Sequence, residues 1–343
     1  MHIGVWHSLN ETDGLHDEWN DLLKSSASNV PFLRYEYLQG WWQTLGGGEW
    51  PQGEFYGIYA RQPDGSLAGI APLFFSHNRE DEPALLLQGS IEISDYLDFL
   101  ASPAWLPEFV DALLDHLASP EAPAWQALDW YNFLDTSPTL PLLKEAAVRR
   151  GWTYAETPLQ HCPQIPLSGD WETYLASVDS KQRHEIRRKV RRLESSPEYG
   201  RWYCVTDAAS LDQEVDEFLR LMAYDPAKKR FLTAAMKKQM HLTARSAFAA
   251  GWLQLAFIEV GGEKVAAYMN FDYENRIWVY NSGIDFRYRE FSPGWVLLAY
   301  LLEWAIENRR TTFDFMRGDE DYKYRFGAID RRVVRVVIRR PAG

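Results

Sequence analysis

The stretch Ser292-Pro293-Gly294-Trp295 opens a long apolar segment whose periodicity predicts a helix over 293–309. A closely similar stretch, Ser102-Pro103-Ala104-Trp105, opens a segment predicted to be a helix over 103–118. Serine followed by proline is typical of a helix start, because serine favours the capping position and proline the first helical position. The repeated helix start indicates that the chain contains a duplicated unit.

The segments around the two helices repeat as well. In each half, alternating hydrophobic residues and turn signals predict strands before the helix and one strand after it. The strands after the helices carry the matching tripeptides Leu128-Asp129-Trp130 and Phe313-Asp314-Phe315. The sequence therefore predicts an α/β protein of two similar domains, each with a mixed central sheet, over 1–165 and 166–343.

The second half is predicted in more detail, because its motifs depend on where the elements lie. The segment 224–232 is left as a loop between two predicted helices. The predicted helices are 171–177, 180–195, 208–224, 231–250, 293–309 and 319–325, and the predicted strands are 201–206, 252–260, 264–273, 276–284, 311–316 and 332–339.

Composition excludes several classes of protein. The 343 residues are 46% hydrophobic and include 15 Trp, which is enough for a sizeable core and excludes global disorder. No apolar run approaches the ~18 residues of a membrane span, and the N-terminus lacks the layout of a secretory signal. Cys162 and Cys204 are too few for a disulfide framework and lack metal-site spacing. We expect a cytoplasmic protein without a bound metal.

The charge is distributed unevenly along the chain. Residues 1–165 carry 7 Lys and Arg against 23 Asp and Glu, whereas the remainder carries 29 against 25. The formal net charge of −12 argues against DNA binding by the whole chain. An anionic ligand is therefore expected to bind the second half.

The start of the helix at 293 is a candidate anion site. Gly294 has no side chain to cover the backbone N–H groups at the helix start, and these N–H groups together with the helix dipole attract an anion. Two arginines just upstream lie within reach of the same anion. The alternative interpretation is an ordinary capped helix. The residues of this candidate site are Arg287, Arg289, Ser292, Gly294, Trp295 and Val296.

A second candidate site follows the strand predicted at 311–316. Ligands of α/β proteins bind at the carboxyl ends of strands, and here Gly318 permits a turn into a short helix. A phenol such as Tyr322 can protonate a leaving thiolate, and a carboxylate of Asp319 or Glu320 can accept a proton from an amine. The ammonium of Lys323 can stabilise an oxyanion. A solvated helix with structural aromatics is the alternative.

Two further segments have functional and structural interpretations. The segment 181–193 holds seven basic residues on an amphipathic helix, which is either a solvated face or a wall for an anionic substrate. The segment Ser94-Asp95-Tyr96-Leu97-Asp98-Phe99 either contacts an acceptor or consists of satisfied turn residues. The sequence contains no nucleophile elbow, Walker loop or dinucleotide fingerprint.

Several segments resemble the CelD-like, cellulose-biosynthesis-type branch of the GNAT acetyltransferase superfamily. The resemblance rests on Trp171-Glu172-Thr173-Tyr174-Leu175 leading into Lys181–Lys189, on Ser292-Pro293-Gly294, and on Gly318-Asp319-Glu320 with Tyr322-Lys323. Asp95-Tyr96-Leu97-Asp98 and Pro31-Phe32 fit as well. The branch is similar in build to the Fem-type peptidyltransferases, which carry two GNAT-like domains in tandem.

The resemblance implies N-acyl transfer from acetyl-CoA or another acyl-CoA. The strand 276–284, with Asn281 and Ser282, would bind the pantetheine arm, and the N–H groups at 294–296 would bind the pyrophosphate. Asp319 or Glu320 would be the base, and Tyr322 would protonate the thiolate. The acceptor would be an amine of a small molecule or a cell-envelope, polysaccharide-related compound.

Two rival functions stay open. The superfamily's phosphate loop reads Gln/Arg-x-x-Gly-x-Gly/Ala, and 289–294 lacks two of its glycine-type positions. An aminoacyl-tRNA donor, as in a Fem-type transferase, is therefore the first rival, and the basic segment would suit tRNA. The second rival is a non-catalytic domain pair that binds an acceptor or partner protein. Base rates favour a symmetric homodimer.

Overall fold

A computed structural model describes residues 1–341, which divide into two compact units. Unit 1 contains Met1–Gln160 and the chain from Arg332 onward, and unit 2 contains His161–Arg331. No helix in the described part of the chain is long and apolar enough to cross a membrane.

Unit 1 is built on one mixed sheet. Its strands are β1 (His2–Trp6), β2 (Glu54–Arg61), β3 (Leu67–His77), β4 (Pro83–Leu87), β5 (Leu100–Ala101), β6 (Ala127–Leu134), β7 (Thr153–His161) and β14 (Arg332–Arg339). Its helices are α1 (His16–Ser25), α2 (Tyr35–Trp42), α3 (Leu45–Gly48), α4 (Leu106–Ala118) and α5 (Thr139–Arg149). The strand order is β1-β2-β3-β4-β6-β14-β7, and β5 pairs with β3.

Unit 2 is built on a second mixed sheet. Its strands are β8 (Gln164–Pro166), β9 (Tyr199–Cys204), β10 (Leu253–Val260), β11 (Glu263–Tyr273), β12 (Arg276–Ile284) and β13 (Thr312–Asp314). Its helices are α6 (Trp171–Ser177), α7 (Ser180–Glu194), α8 (Leu211–Met222), α9 (Pro226–Phe231), α10 (Ala234–Ala249), α11 (Pro293–Glu307) and α12 (Asp321–Arg325). The strand order is β9-β10-β11-β12-β13-β8.

The two sheets have the same topology, which confirms the predicted duplicated α/β fold. In each, four successive strands pair antiparallel, and the fourth strand then pairs parallel with the strand that follows the long helix. The sixth position is filled by an antiparallel strand, β14 in unit 1 and β8 in unit 2. The helices between the parallel strands are α4 and α11, as the repeated Ser-Pro starts predict.

The observed units differ from the predicted division at 165/166 in the position of the last strand. The predicted second domain included 332–339, but β14 hydrogen-bonds to β6 in the sheet of unit 1. Val333, Val336 and Ile338 of this strand are fully buried, so its apolar face is part of the core of unit 1. Sequence order alone placed the strand with its neighbours in the chain, whereas strand pairing assigns it to the other unit.

Most predicted elements of unit 2 lie within two residues of the observed ones. The strands β10, β11 and β12 and the helix α7 are confirmed. The predicted helix 231–250 is confirmed as α10, whereas α9 is an additional helix in most of the segment that was left as a loop. Asp225 caps α9 by accepting hydrogen bonds from the N–H groups of Ala227 and Lys228.

The core of unit 2 explains why α11 is apolar on all sides. This helix packs against β10, β11 and β12 and also against α6 and α7. Leu297, Leu298, Leu301 and Leu302 are fully buried, because different faces of the helix contact the sheet and the covering helices.

The parallel pair at the centre of unit 2 opens before β12 ends. Residues 276–278 of β12 pair with 312–314 of β13, and no described strand pairs with 279–284 on that side. A bulge lies in the same part of β12, because Met269 of β11 pairs with Asn281 and Asn270 pairs with Val279. Bulges of this kind redirect side chains next to functional sites. The open end of β12 is therefore a candidate position for a functional site.

Candidate active site

Two buried tyrosines meet beside the open end of β12. Tyr268 of β11 lies directly across from Ser282 of β12. The side chain of Tyr322, from α12, interacts with that of Tyr268. The Tyr268 hydroxyl donates to the carbonyl of Gly294 at 3.4 Å, at the start of α11. Tyr268 thus lies between α12 and the start of α11.

The surroundings keep both phenols protonated at neutral pH. Burial raises the pKa of Tyr322 well above its usual value, and the interactions with Tyr268 and with the Glu320 carboxylate raise it further. Burial also raises the pKa of Tyr268. The edge of Tyr322 packs against Phe315, with ring centroids 5.9 Å apart. Tyr322 therefore carries a proton that it can donate, although its raised pKa makes it a weaker acid than a free phenol.

Lys323 is bound by three acceptors and fixes the turn before α12. Its ammonium lies 2.8 Å from the Glu320 carboxylate, 3.1 Å from the Arg317 carbonyl and 3.0 Å from the Gly318 carbonyl. Gly318 has a φ of +125°, and a Cβ there would overlap with Glu320 and Lys323. Since an ammonium has three N–H donors, Lys323 has none left for the oxyanion that we predicted it to stabilise.

The two candidate bases, Glu320 and Asp319, have different contacts. Glu320 bonds to Lys323, and its charge acts on both Tyr322 and Tyr268. Asp319 instead accepts a hydrogen bond from the exposed side of α12, from the hydroxyl of Tyr324 at 2.6 Å. The structure therefore brings Glu320 to the tyrosine pair and places Asp319 outside it.

A lysine that was not among the predicted site residues reaches the same place. Lys228 of α9 donates from its ammonium to the carbonyl of Ser282 at 2.6 Å. Burial lowers the pKa of Lys228, and the nearby charges of Asp225 and Glu320 partly offset this effect. Lys228 therefore binds the residue of β12 that lies directly across from Tyr268. We call Lys228, Tyr268, Glu320 and Tyr322 the tyrosine–lysine cluster.

The start of α11 offers fewer free N–H groups than predicted. Ser292 has a left-handed backbone conformation, and its side chain caps no N–H group. Its carbonyl instead accepts from the N–H groups of Trp295 at 3.0 Å and Val296 at 3.1 Å. Within the described residues, the Gly294 N–H has no backbone acceptor. A Cβ at Gly294 would overlap with Ile284 of β12, so the helix start is tightly packed.

The two arginines upstream differ in their engagement. Arg287 forms a two-point ion pair with the buried carboxylate of Asp285 and also donates to the hydroxyl of Tyr224 at 2.9 Å. Arg289 is exposed and forms no ion pair within residues 1–341. Of the predicted arginine pair, only Arg289 is therefore available without breaking an existing contact.

The remaining predicted residues lie on β12. The Asn281 side chain accepts a hydrogen bond from the Ser282 N–H at 2.9 Å. The Ser282 carbonyl is bound by Lys228, as described above. Both residues lie on the open end of β12, where the resemblance placed the donor's arm.

The basic helix α7 supplies one charge to the start of α11. The Lys189 ammonium lies 3.9 Å from the centre of the Trp295 ring, and Trp295 also packs on Phe326. Arg187 pairs with Glu172, and Arg188 pairs with Glu185 at 2.7 Å. Part of the basic face is thus neutralised within unit 2.

A largely apolar groove of about 190 Å³ lies beside α7. The groove contains no member of the tyrosine–lysine cluster, although two arginines of α7 line it. Its lining includes Trp171, Arg187, Val190, Arg191, Tyr300 and Glu303.

In the part of the chain described by the structure, no group of His, Cys, Asp and Glu side chains is arranged to hold a metal ion.

In unit 1, Asp98 of the segment 94–99 is fully buried and accepts hydrogen bonds from Ser28, Ser137 and Thr139. These contacts correspond to the structural interpretation of that segment.

Sequence analysis missed Tyr268 and Lys228 for different reasons. Tyr268 is one of several aromatic residues on predicted strands, and no local signal distinguishes it. Lys228 had a readable signal, because Asp225-Pro226 is a typical cap and first position of a helix. Recognising α9 would have fixed the direction of the Lys228 side chain.

Comparison with known protein families finds one match within the chain. Residues 180–324 match a family model described as an acetyltransferase (GNAT) domain. This segment includes the whole tyrosine–lysine cluster. No curated protein matched the sequence.

Solved structures share the fold over nearly the whole chain. The crystal structure of FemX is similar with a TM-score of 0.66 at 12% identity, covering 97% of each chain. A conserved protein from Bacteroides thetaiotaomicron has a TM-score of 0.59 at 12% identity, covering 99% of this chain and 100% of its own. The C-terminal domain of a putative lysylphosphatidylglycerol synthetase from Agrobacterium fabrum has a TM-score of 0.55 at 9% identity, covering 96% and 92%. The predicted GNAT-like fold is thus confirmed.

Proposed function

We propose that unit 2 catalyses N-acyl transfer from acyl-CoA to an amine, as a member of the CelD-like branch of GNAT enzymes. The observation that carries the proposal is the protonated Tyr322–Tyr268 pair beside the open end of β12, with Glu320 next to it. The match of residues 180–324 to an acetyltransferase domain supports the same chemistry. The acceptor would be an amine of a small molecule or of a compound related to cell-envelope polysaccharide.

The reaction would proceed by direct attack of the amine. The amine nitrogen forms a bond to the thioester carbon and passes a proton to the Glu320 carboxylate, directly or through water. The C–S bond breaks, and the sulfur takes the proton of the Tyr322 hydroxyl. The proton on Glu320 then returns to the Tyr322 oxygen through solvent, which restores both groups.

The first prediction concerns the role of Tyr322. Replacing Tyr322 by Phe removes the proton donor and should lower turnover about 10²–10⁴-fold, while CoA affinity changes little. Release of the CoA thiol from acetyl-CoA, measured with a panel of amines, gives turnover, and calorimetry gives affinity. Tyr324→Phe is the matched control, because Tyr324 bonds to Asp319 outside the cluster. Unchanged turnover in Tyr322→Phe would remove Tyr322 from the mechanism.

An aminoacyl-tRNA donor is the second candidate, and the start of α11 favours it. The N–H groups of Trp295 and Val296 already donate to the Ser292 carbonyl, so this helix start has few N–H groups left to bind a pyrophosphate. The likeness to FemX is consistent with a Fem-type transferase. Filter binding with aminoacyl-tRNA, weakened steeply by salt, would favour this donor. Absence of calorimetric binding of CoA and acyl-CoA would refute the acyl-CoA donor.

A further inference from the structure

The two lysines near the cluster differ in how their ammonium groups are satisfied. Lys323 has an acceptor for each of its three N–H bonds. Lys228 has one acceptor, the Ser282 carbonyl, and no other described atom lies within hydrogen-bond distance of its ammonium. Lys228 is partly exposed, so the two remaining N–H donors of its ammonium can reach a ligand. Lys228 therefore has donors available at the open end of β12.

Lys228 lies beside the atoms that would act on the thioester. Its acceptor, Ser282, is directly across from Tyr268, and Tyr268 interacts with Tyr322. The charge of Glu320 acts on Lys228, Tyr268 and Tyr322. If the thioester sulfur lies at the Tyr322 hydroxyl, the carbonyl carbon bonded to that sulfur lies within the same cluster.

We propose that Lys228 donates a hydrogen bond to the carbonyl oxygen of the donor's acyl group, an inference that rests on the proposed acyl-CoA function. When the amine nitrogen bonds to the carbonyl carbon, the C=O electron pair moves to oxygen. The Lys228 ammonium stabilises this oxyanion. When the pair returns, the C–S bond breaks and the thiolate takes the Tyr322 proton. The lowered pKa of Lys228 is consistent with its burial at this position.

The experiment compares two ligands that differ only in the carbonyl. Acetyl-CoA carries the thioester carbonyl, whereas S-ethyl-CoA, a thioether, lacks it. Calorimetry with the full-length wild type should show acetyl-CoA bound about tenfold or more tightly, the effect expected of a hydrogen bond from a charged donor. Lys228→Met should bind the two ligands equally, with its affinity for S-ethyl-CoA unchanged.

The controls separate a local effect from misfolding. Lys229→Met changes the exposed neighbour on α9 and should keep the tenfold preference. If Lys228→Met does not fold in thermal unfolding, Lys228→Gln replaces it, because glutamine can still donate to the Ser282 carbonyl but carries no charge. Lys228→Gln should also lose the preference.

The other outcomes overturn distinct claims. If the wild type binds both ligands and Lys228→Met keeps the preference, or if the wild type shows no preference, Lys228 does not contact the carbonyl although the donor is acyl-CoA. If the wild type binds neither ligand, the acyl-CoA donor fails and the inference fails with it.

Discussion

The segments Ser102–Trp105 and Ser292–Trp295 have nearly the same sequence and the same backbone hydrogen bonds but different surroundings. The helix α11 begins within its segment, at Pro293, whereas α4 begins just after its segment, at Leu106. The Ser102 carbonyl accepts from the N–H groups of Trp105 at 3.0 Å and Leu106 at 2.9 Å. The Ser292 carbonyl accepts from the two equivalent N–H groups at 3.0 and 3.1 Å. Ala104 and Trp105 are exposed, whereas Gly294 is buried against Ile284. The local sequence thus sets how a helix begins, and the tertiary contacts decide what lies beside it.

The matched aspartates on the following strands show the same difference. Asp129 and Asp314 are both fully buried. Asp129 forms a two-point ion pair with Arg335 of β14, the strand from the far end of the chain. Asp314 accepts hydrogen bonds from the Gln164 side chain and from the Met316 N–H, both at 2.8 Å. Asp129 thus bonds to a strand from the far end of the chain, whereas Asp314 bonds to segments within unit 2.

The largest predicted difference between the units comes from these aspartates. Asp129→Ala removes one partner of a buried ion pair and should lower the free energy of unfolding by about 3 kcal/mol. Asp314→Ala leaves the Gln164 amide and the Met316 N–H without this acceptor and should cost about 1–2 kcal/mol. Urea unfolding followed by circular dichroism measures both losses. Equal losses would show that the ion pair with Arg335 adds nothing to the cost of removing a buried aspartate. Arg335 keeps one partner in the Asp129 variant, because Glu80 also contacts it.

The helix starts give the next largest difference. Gly294→Val forces a side chain against Ile284 and should lower the free energy of unfolding by about 1–3 kcal/mol. Ala104→Val at the exposed counterpart should change it by less than about 0.5 kcal/mol. Adding Ile284→Ala to Gly294→Val tests the contact by a double-mutant cycle in urea unfolding. Additive effects of the two changes would contradict direct contact between them.

The smallest difference concerns the tryptophans. The Lys189 ammonium lies over the ring of Trp295, whereas Trp105 is 37% exposed. Lys189→Met should lower the free energy of unfolding by about 0.5–1 kcal/mol through loss of the cation–π contact. Lys181→Met, at an exposed position of the same helix, should leave it unchanged. Equal effects of the two substitutions in urea unfolding would contradict a stabilising contact between Lys189 and Trp295.

The cluster was predictable only in part, and its individual residues show why. Tyr322 and Glu320 follow a strand end and a turn glycine, which are features of neighbouring residues in the chain. Tyr268 and Lys228 join them through pairing of β11 with β12 and through the position of α9, which link residues about fifty apart. Lys323 is the opposite case. Its residue type predicted an oxyanion role, but its three observed contacts occupy all three N–H donors of its ammonium.

The sequence by itself determined the repeated order of helices and strands, the Ser-Pro helix starts and the chemistry available after β13. These features depend on periodicity, capping and turn residues, which act between neighbours in the chain. Only the tertiary structure decided that β14 completes the sheet of unit 1, that Gly294 is packed against Ile284, and that Lys228 reaches Ser282. Those outcomes depend on strand pairing and on contacts between segments that are distant in the chain, which no local pattern encodes.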